Sequence, residues 1–241
     1  MEKEIIIEEE LSVTELVALG NPYENNMARI AAMEDEFSHT MEPILKMYNA
    51  AMNLATARLN IIRDEFEFRG KRVPIHHIDT RLKSSKSILG KLEKKGMRLS
   101  LTEAFNNIYD IAGIRCVCPY IKDVYLIRDR ILAQDDIQIL EIKDYIASPK
   151  PNGYRSLHMI IRVPVYFMSK KQLVPVEIQI RTLAMDLWAS LEHDIKYKSL
   201  SNKEESLDAM ELDMDEELLQ AAELIYAAQQ KFEIMNSAME K

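Results

Sequence analysis

The residues from Val174 to Lys198, VPVEIQIRTLAMDLWASLEHDIKYK, constrain the fold more than any other stretch of the chain. Val174, Val176, Ile178 and Ile180 alternate with Glu177, Gln179 and Arg181, so a strand here turns four aliphatics to one side and three hydrogen-bonding groups to the other. From Thr182 the period changes: Leu183, Leu187, Leu191 and Ile195, with Ala184 and Trp188, recur at the spacing of one apolar helix face. A half-packed, half-polar strand therefore runs straight into a helix. A carboxylate, an amide and a guanidinium side by side on a rigid strand suit a site that handles a metal, a hydroxyl and a phosphate. A half-solvated edge strand has the same pattern.

A second stretch, Ile78 to Lys95 (IDTRLKSSKSILGKLEKK), has a helical period. Ile78, Leu82, Leu89 and Leu92 make the apolar stripe; Lys83, Ser87 and Lys91 fall four apart on another face, with Lys94 beside them and Arg81 near the helix start. Overall charge gives this cluster its meaning, since 31 Lys and Arg against 39 Asp and Glu leave a formal net charge of −8. Binders of nucleic acid that ignore sequence rely on a basic surface to displace counterions, so a DNA partner is excluded and any polyphosphate must be held locally. A helix that lines up cations and a hydroxyl suits a triphosphate. A solvated basic face would look the same.

Leu101 to Tyr120 reads as a short helix feeding a strand over Ile114 to Tyr120, with Asp110 just before Ile111-Ala112-Gly113. There Asp110 is a candidate metal ligand, with the glycine allowing close backbone approach, or simply part of a turn. Helical period returns over Val124 to Ala133, and a strand over Ile137 to Ile146 carries Lys143 near its end. The loop Ala147 to Arg155, rich in turn residues, presents Lys150, Tyr154 and Arg155 before a strand over Ser156 to Tyr166, on which His158 alternates outward. A tyrosine flanked by cations can stack on a purine while the cations hold its phosphates, or it can cover the sheet end.

The flanks are helical. Residues 1–26 form an acidic extension with at most a short helix around Leu11 to Leu19; 27–68 is helical, with a break expected near Thr40 to Pro43 because proline fits a first turn better than an interior. After the segment SLSNKEES, an acidic helix over 207–239 keeps one stripe of Leu207, Met210, Met214, Leu218, Ala221, Ile225, Ala228 and Phe232, which must be buried on the core or on another subunit. The two cysteines, Cys116 and Cys118, are expected to be reduced core residues. No basic region followed by a long apolar one opens the chain, and no apolar run reaches the ~20 residues of a membrane span, so no membrane partner and a cytoplasmic location are expected.

RLKSSKSILGK, YDIAGIRCV, KPNGYRSLH and VEIQIRTLAMDLWASLEHDIKYK, in that order, resemble the guanosine polyphosphate synthetase domain of the RelA/SpoT family. With no upstream hydrolase domain or downstream regulatory domains, the chain looks like a stand-alone small alarmone synthetase, closer to the RelP than the RelQ type. The resemblance implies an α/β (α+β) fold, a nucleotidyltransferase-like mixed β-sheet flanked by helices. It also implies a synthetase domain over 27–200 with its catalytic core at 74–198, and an oligomerisation helix over 201–241. The implied activity is transfer of pyrophosphate from ATP to the 3′-hydroxyl of GTP or GDP with release of AMP, as in stringent-response signalling.

The same resemblance implies roles by position. Asp110 and Glu177 would hold Mg²⁺, with Glu177 also the base for the 3′-hydroxyl and Gln179 in the catalytic group. Lys83, Ser87, Lys91 and Lys94 align with the ATP-phosphate helix, and Arg81 and Arg115 with the arginines that sandwich adenine. Tyr154 matches the guanine-stacking tyrosine, Lys150 and His158 lie near the acceptor phosphates, and Asp186 matches a guanine-reading position. Lys143 stands where many relatives carry arginine, so a bidentate phosphate contact becomes a point charge. Gln179, Arg181, Glu192 and His193 would organise the site from behind, although Glu192 with Lys196 is equally an i,i+4 pair. His76 and His77 occupy the segment that contributes to a product-binding cleft in RelQ-type members, and they differ from the activated pattern. A homotetramer is the implied assembly, with single-stranded RNA a further expected regulator. Rival expectations are a non-catalytic nucleotide or single-stranded RNA binder, or a pyrophosphokinase with a different acceptor.

Overall fold

The structure, a computed structural model, describes residues 26–98, 100–201 and 207–239. The acidic extension, with the helix expected around Leu11 to Leu19, lies outside them except for Asn26. In chain order the elements are α1 (Asn26–Phe68), β1 (His77–Leu82), α2 (Ser85–Lys94), α3 (Leu101–Asn107), β2 (Ala112–Cys118) and α4 (Ile121–Leu132). There follow β3 (Gln138–Asp144), β4 (Leu157–Phe167), β5 (Lys170–Thr182), α5 (Leu183–Ser201) and α6 (Leu207–Met239).

The strands form one mixed sheet in the order β1-β2-β5-β4-β3, with β2 parallel to β5 and every other pair antiparallel. β5 is central because its aliphatic face is the most complete. Val174, Val176, Ile178 and Ile180 are all buried, as are Leu157, Met159, Ile161 and Val163 beside them on β4. α1 and α4 lie on this apolar side, α1 contributing Tyr48, Ala51, Ala55, Leu59 and Ile62 at helical spacing. A two-residue turn at Met168 and Ser169, both at positive φ (48° and 61°), joins β4 to β5; this conformation matches the twist of a hairpin. Both cysteines are free and buried on β2, and the hydrogen bond that the Cys118 thiol makes with Cys116, together with burial, pushes that thiol up, which keeps it an inert core group.

Three elements differ from expectation. Ile78 to Leu82 belongs to strand β1, not to a helix: its apolar residues, four apart, also satisfy a period of two, and pairing with β2 decides between them. Only Ser85–Lys94 is helical, with Ser84 as its cap. In α1 the helix continues unbroken through Pro43. The ring and the His39 carbonyl it deprives of a partner are both on the exposed side, while Met41, Met47 and Tyr48 around them are buried, so packing carries the helix past the lost hydrogen bond.

The stripe expected on α5 is bare. Leu183, Leu187, Leu191 and Ile195 are 41%, 53%, 51% and 42% exposed, whereas Met185, Trp188 and Ala189 are buried. α6 covers that second edge with Leu218 and Ala222, and the Trp188 indole donates to the Leu218 carbonyl at 2.9 Å. Further along α6, Gln229 is buried while Phe232 is exposed, because a glutamine that reaches the Pro119 carbonyl at 3.4 Å serves the end of β2 better than an apolar ring. Since Pro43 removes one helical hydrogen bond at a solvent-facing position, Pro43→Ala should raise stability by roughly 1–3 kcal/mol, read as a higher urea midpoint with unchanged slope. A lower midpoint would show that the φ fixed by the proline ring stabilises α1 by more than the missing hydrogen bond costs.

Candidate active site

The face of the sheet opposite α1 carries the polar groups in register. Directly opposed residues on paired strands point to the same side. One row runs Asp79, Arg115, Gln179, His158 and Lys143 across all five strands, and the next runs Arg81, Gly113, Glu177, Ile160 and Glu141. Gly113 is a gap in the second row: a Cβ there would meet nothing closer than the Arg81 carbonyl at 3.6 Å, so the glycine opens the floor beside Glu177 instead of allowing a close backbone approach. Over β1, β2 and β5 lies an open cleft of about 420 Å³, lined by Asp79, Thr80, Arg81, Lys83, Asp110, Arg115, Glu177 and Gln179. That volume suits one small organic ligand.

Asp110 sits in the turn before β2. The Lys83 backbone N–H donates to the Ile111 carbonyl at 2.8 Å, which places the Lys83 side chain beside it although Lys83 lies outside the helix. Lys83 Nζ is 3.0 Å and Lys91 Nζ 2.7 Å from Asp110 Oδ2. Burial pushes the Asp110 carboxyl up, but hydrogen bonds from Lys91 and Lys83 outweigh it and hold it below the ordinary range. Asp110 Oδ1 is shut from solvent with no hydrogen-bond partner, an expensive state for an ionised oxygen and one that a cation would relieve.

Glu177 is held from two sides. His158 Nδ1 lies 3.2 Å from Oε1, and Gln179 Nε2 donates to Oε2 at 2.9 Å. Burial pushes this carboxyl up too, and Asp110's charge adds to it, yet His158 and Gln179 bring it below the ordinary range. Arg181, nearly sealed on the same strand face, contacts Gln179, Tyr154 and Asp186.

Expected acceptor-side residues converge only in part. Tyr154 Oη is 2.8 Å from His158 Nε2, while the Lys150 ammonium stands 4.8 Å from the centre of the Tyr154 ring and 4.9 Å from that of Tyr145. Lys143 joins the polar row but pairs with Glu141 at 2.9 Å. Asp186 Oδ1 lies 3.3 Å from Arg181 and 3.4 Å from Arg115 Nε, the latter an ion-pair separation without hydrogen-bond alignment. Arg155 turns away from the cleft: its guanidinium meets Glu223 at 3.0 Å and lies 4.1 Å from the centre of the Tyr226 ring, both on α6. Gly153 needs its missing side chain, since at φ 83° a Cβ would come within 2.4 Å of the Ala222 Cβ.

Ser87 closes the α2 cap, its hydroxyl 2.9 Å from that of Ser84, at a helix N-terminus whose free N–H groups suit phosphate. Lys94 is exposed at the far end of the same helix, and His193 is exposed on α5. Glu192 is more than a helix pair: besides Lys196 at 3.0 Å it accepts from Asn152 of the loop at 3.3 Å. Asp79 and Thr80 also line the cleft, a place that a helical reading of this stretch does not give them and that the strand period of Ile78, Thr80 and Leu82 does.

A mixed sheet whose polar face gathers arginines and lysines around two carboxylates defines a nucleotide-handling protein of the transferase type. Residues 80–202 match the region found in RelA/SpoT proteins. The chain is 40% identical over 187 residues to the GTP pyrophosphokinase YwaC of Bacillus subtilis, covering 78% of this chain and 86% of that one. It superposes on the small alarmone synthetase 1 of Bacillus subtilis, crystallised with its product pppGpp, with a TM-score of 0.74 and 31% identity over 84% of this chain and 99% of that one. Small alarmone synthetase 2 of the same organism gives 0.69 and 38% over 80% and 97%. The chain belongs to the RelA/SpoT family.

Both carboxyls titrate lower in the folded chain than when unfolded, so their ionised forms stabilise the fold fully above the unfolded values near 4 and lose that effect as pH falls through the lowered ones. Asp110→Asn should therefore lose less stability than the parent between pH 7 and about 3.5, compared by urea midpoints at each pH. Parallel losses would mean that the Lys83 and Lys91 contacts add nothing to folding.

Proposed function

We propose that this chain is a GTP pyrophosphokinase: it transfers the β,γ-pyrophosphate of ATP to the 3′-hydroxyl of GTP or GDP, releasing AMP and making guanosine penta- or tetraphosphate. The observation that carries this function is the pair of carboxylates, Asp110 and Glu177, lining one cleft with Lys83, Arg81 and Arg115 in a chain that matches GTP pyrophosphokinases over most of its length. A pure nucleotide binder gains nothing from two carboxylates that repel phosphate.

In this scheme the donor lies over β1 and β2. Arg81 and Arg115, flat guanidiniums on adjacent strands, take the adenine. Lys83, Lys91 and the N-terminus of α2 with Ser87 take the phosphates. The acceptor lies toward β4, with its guanine on Tyr154 once Lys150 leaves the ring for the acceptor phosphates, Lys143 and His158 nearby, and Asp186 accepting from the guanine edge. The 3′-oxygen attacks the β-phosphorus, the bond from that phosphorus to the AMP oxygen breaks, and the hydroxyl proton passes to Glu177. An ionised Glu177, held so by His158 and Gln179, is ready to accept it.

Asp110 and Glu177 are also the residues that would hold a divalent cation, for which we infer Mg²⁺. The buried, unpartnered Asp110 Oδ1 fits that donor set, and one or two carboxylates plus substrate phosphates is the usual Mg²⁺ environment. When bound, the ion would neutralise and align the polyphosphate oxygens. Among the described residues no helix is long and apolar enough to cross a membrane. We infer a cytoplasmic location from the proposed substrates, ATP and GTP.

Glu177→Gln should bind both nucleotides with near-parent affinity but lose at least about a hundredfold in turnover, because the amide keeps the shape and cannot take the proton. The check is labelled ATP with GTP, read as AMP and 3′-pyrophosphorylated product; undiminished turnover would remove Glu177 from the base role. For assembly we infer a homo-oligomer, supported by the bare stripe on α5 and the exposed Leu224, Phe232, Ile234 and Met235 on α6, with the tetramer following from the family resemblance alone. Leu187→Asp with Leu191→Asp should lower the mass measured by light scattering, and an unchanged mass would place the contacts elsewhere.

A further inference from the structure

Arg181 makes more polar contacts than any role given to it so far requires. Its side chain is only 6% exposed. One terminal nitrogen, Nη2, donates to Tyr154 Oη at 2.6 Å and to Gln179 Oε1 at 2.7 Å; the other donates to Asp186 Oδ1 at 3.3 Å, and Nε to Ser156 Oγ at 3.4 Å. A guanidinium has five N–H donors and no acceptor, and it stays protonated at any pH the protein survives. Every partner must therefore offer it a lone pair.

That requirement propagates along two arms. On one, Gln179 turns its oxygen to Arg181, so its NH₂ faces the other way and donates to Glu177 Oε2 at 2.9 Å. On the other, the Tyr154 oxygen accepts from Arg181, which leaves its single proton for His158 Nε2 at 2.8 Å. With Nε2 accepting, the neutral imidazole carries its proton on Nδ1, and that N–H donates to Glu177 Oε1 at 3.2 Å. The five side chains close a ring, and both arms end as donors on the two oxygens of one carboxylate.

We propose that Arg181 is a positioning residue that closes this ring at the end remote from Glu177: the carboxylate, which can only accept, sets the direction of both arms, and Arg181 takes the lone pair that each arm turns away from it, so that Glu177 and the acceptor tyrosine are held as one unit. Without it the Gln179 oxygen and the Tyr154 hydroxyl each lose a buried partner, both arms are left open, and the carboxylate loses its fixed orientation. The ring makes no bond to Lys83, Lys91 or Arg81, and Arg181 reaches the donor side only through Asp186, which stands 3.4 Å from Arg115.

The functional part of this inference rests on Glu177 and Tyr154 serving the acceptor as proposed above; the hydrogen-bond part does not. Both are tested on the full chain with Arg181→Met, Arg181→Lys and Tyr154→Phe. Nitrogen-15 NMR of histidine-labelled protein without nucleotide, with His158 assigned from a His158→Gln sample, reads the tautomer and needs no turnover. The parent should show Nδ1–H, the tautomer that Glu177 and Tyr154 both require. Tyr154→Phe, which cuts one arm and leaves Glu177 and Arg181 in place, should keep it. In steady-state kinetics Arg181→Met should raise the KM for GTP about tenfold and lower kcat, with a smaller rise in the KM for ATP. Arg181→Lys should fall between, since an ammonium cannot serve Tyr154, Gln179 and Asp186 from a planar fork.

An Nε2–H or doubly protonated His158 in the parent would overturn the ring's direction. Equal rises in both KM values in Arg181→Lys would overturn the positioning role and leave Arg181 a structural residue. An Nδ1–H tautomer in a parent protein that makes no product would instead fault the assignment of the acceptor.

Discussion

Everything at the site depends on how β5 is paired. It lies parallel to β2 and antiparallel to β4, so Glu177 is flanked by Gly113 on one side and Ile160 on the other, and Gln179 by Arg115 and His158. Strand pairing admits no half-steps: a slip of one residue would turn Glu177, Gln179 and Arg181 into the core and bring Ile178 and Ile180 out to the cleft. The burial of Val174, Val176, Ile178 and Ile180 under α1 is what forbids that slip. At roughly 1.5–3 kcal/mol for each buried aliphatic, the same four side chains that contribute to stability also fix the aim of the chemistry.

Electrostatically the cleft is an exception within its own chain. A protein with a formal net charge of −8 gathers Arg81, Lys83, Lys91 and Arg115 around Asp110 and Glu177. Asp110, paired with both Lys83 and Lys91, offsets the repulsion between the two ammonium groups. A polyphosphate entering with its cation would exchange partners, the ammoniums passing to phosphate and the carboxylate to metal, so that neither charge is left unpaired in a half-buried place. The low pKa of both carboxyls belongs to this exchange: they stay ionised because donors already surround them.

The acceptor side is built differently, from a loop clamped by the rest of the chain. Gly153 abuts Ala222, Arg155 meets Glu223 and Tyr226, and Asn152 reaches Glu192, while Tyr154 between them packs near Trp188 with ring centres 6.3 Å apart. α6 seats the loop whose tyrosine faces the site, so a change in how α6 is held would be felt at the side proposed for the acceptor before the side proposed for the donor.

How much of this was legible beforehand follows from which forces are local. The alternation on β5, the switch to helical period at Thr182 and the turn-rich loop 147–155 are local patterns, and the structure keeps all three. Asp110 and Glu177 could be picked out, and the cationic cluster around Lys83 and Lys91 recognised, because residue type and order carry that chemistry. The sequence by itself thus determined the apolar and polar faces of β5, the helix that follows it, and the main charged groups of the cleft, without Asp79 and Thr80. Only the tertiary structure decided that Ile78 to Leu82 is an edge strand, that α1 runs through Pro43, that the α5 stripe stays bare, and that Arg155 serves α6 instead of the cleft. Each of these is settled by a partner distant in sequence. Strand pairing, burial on a neighbouring face and the direction of a hydrogen bond are properties of two surfaces meeting, and a single stretch of chain holds only one of them.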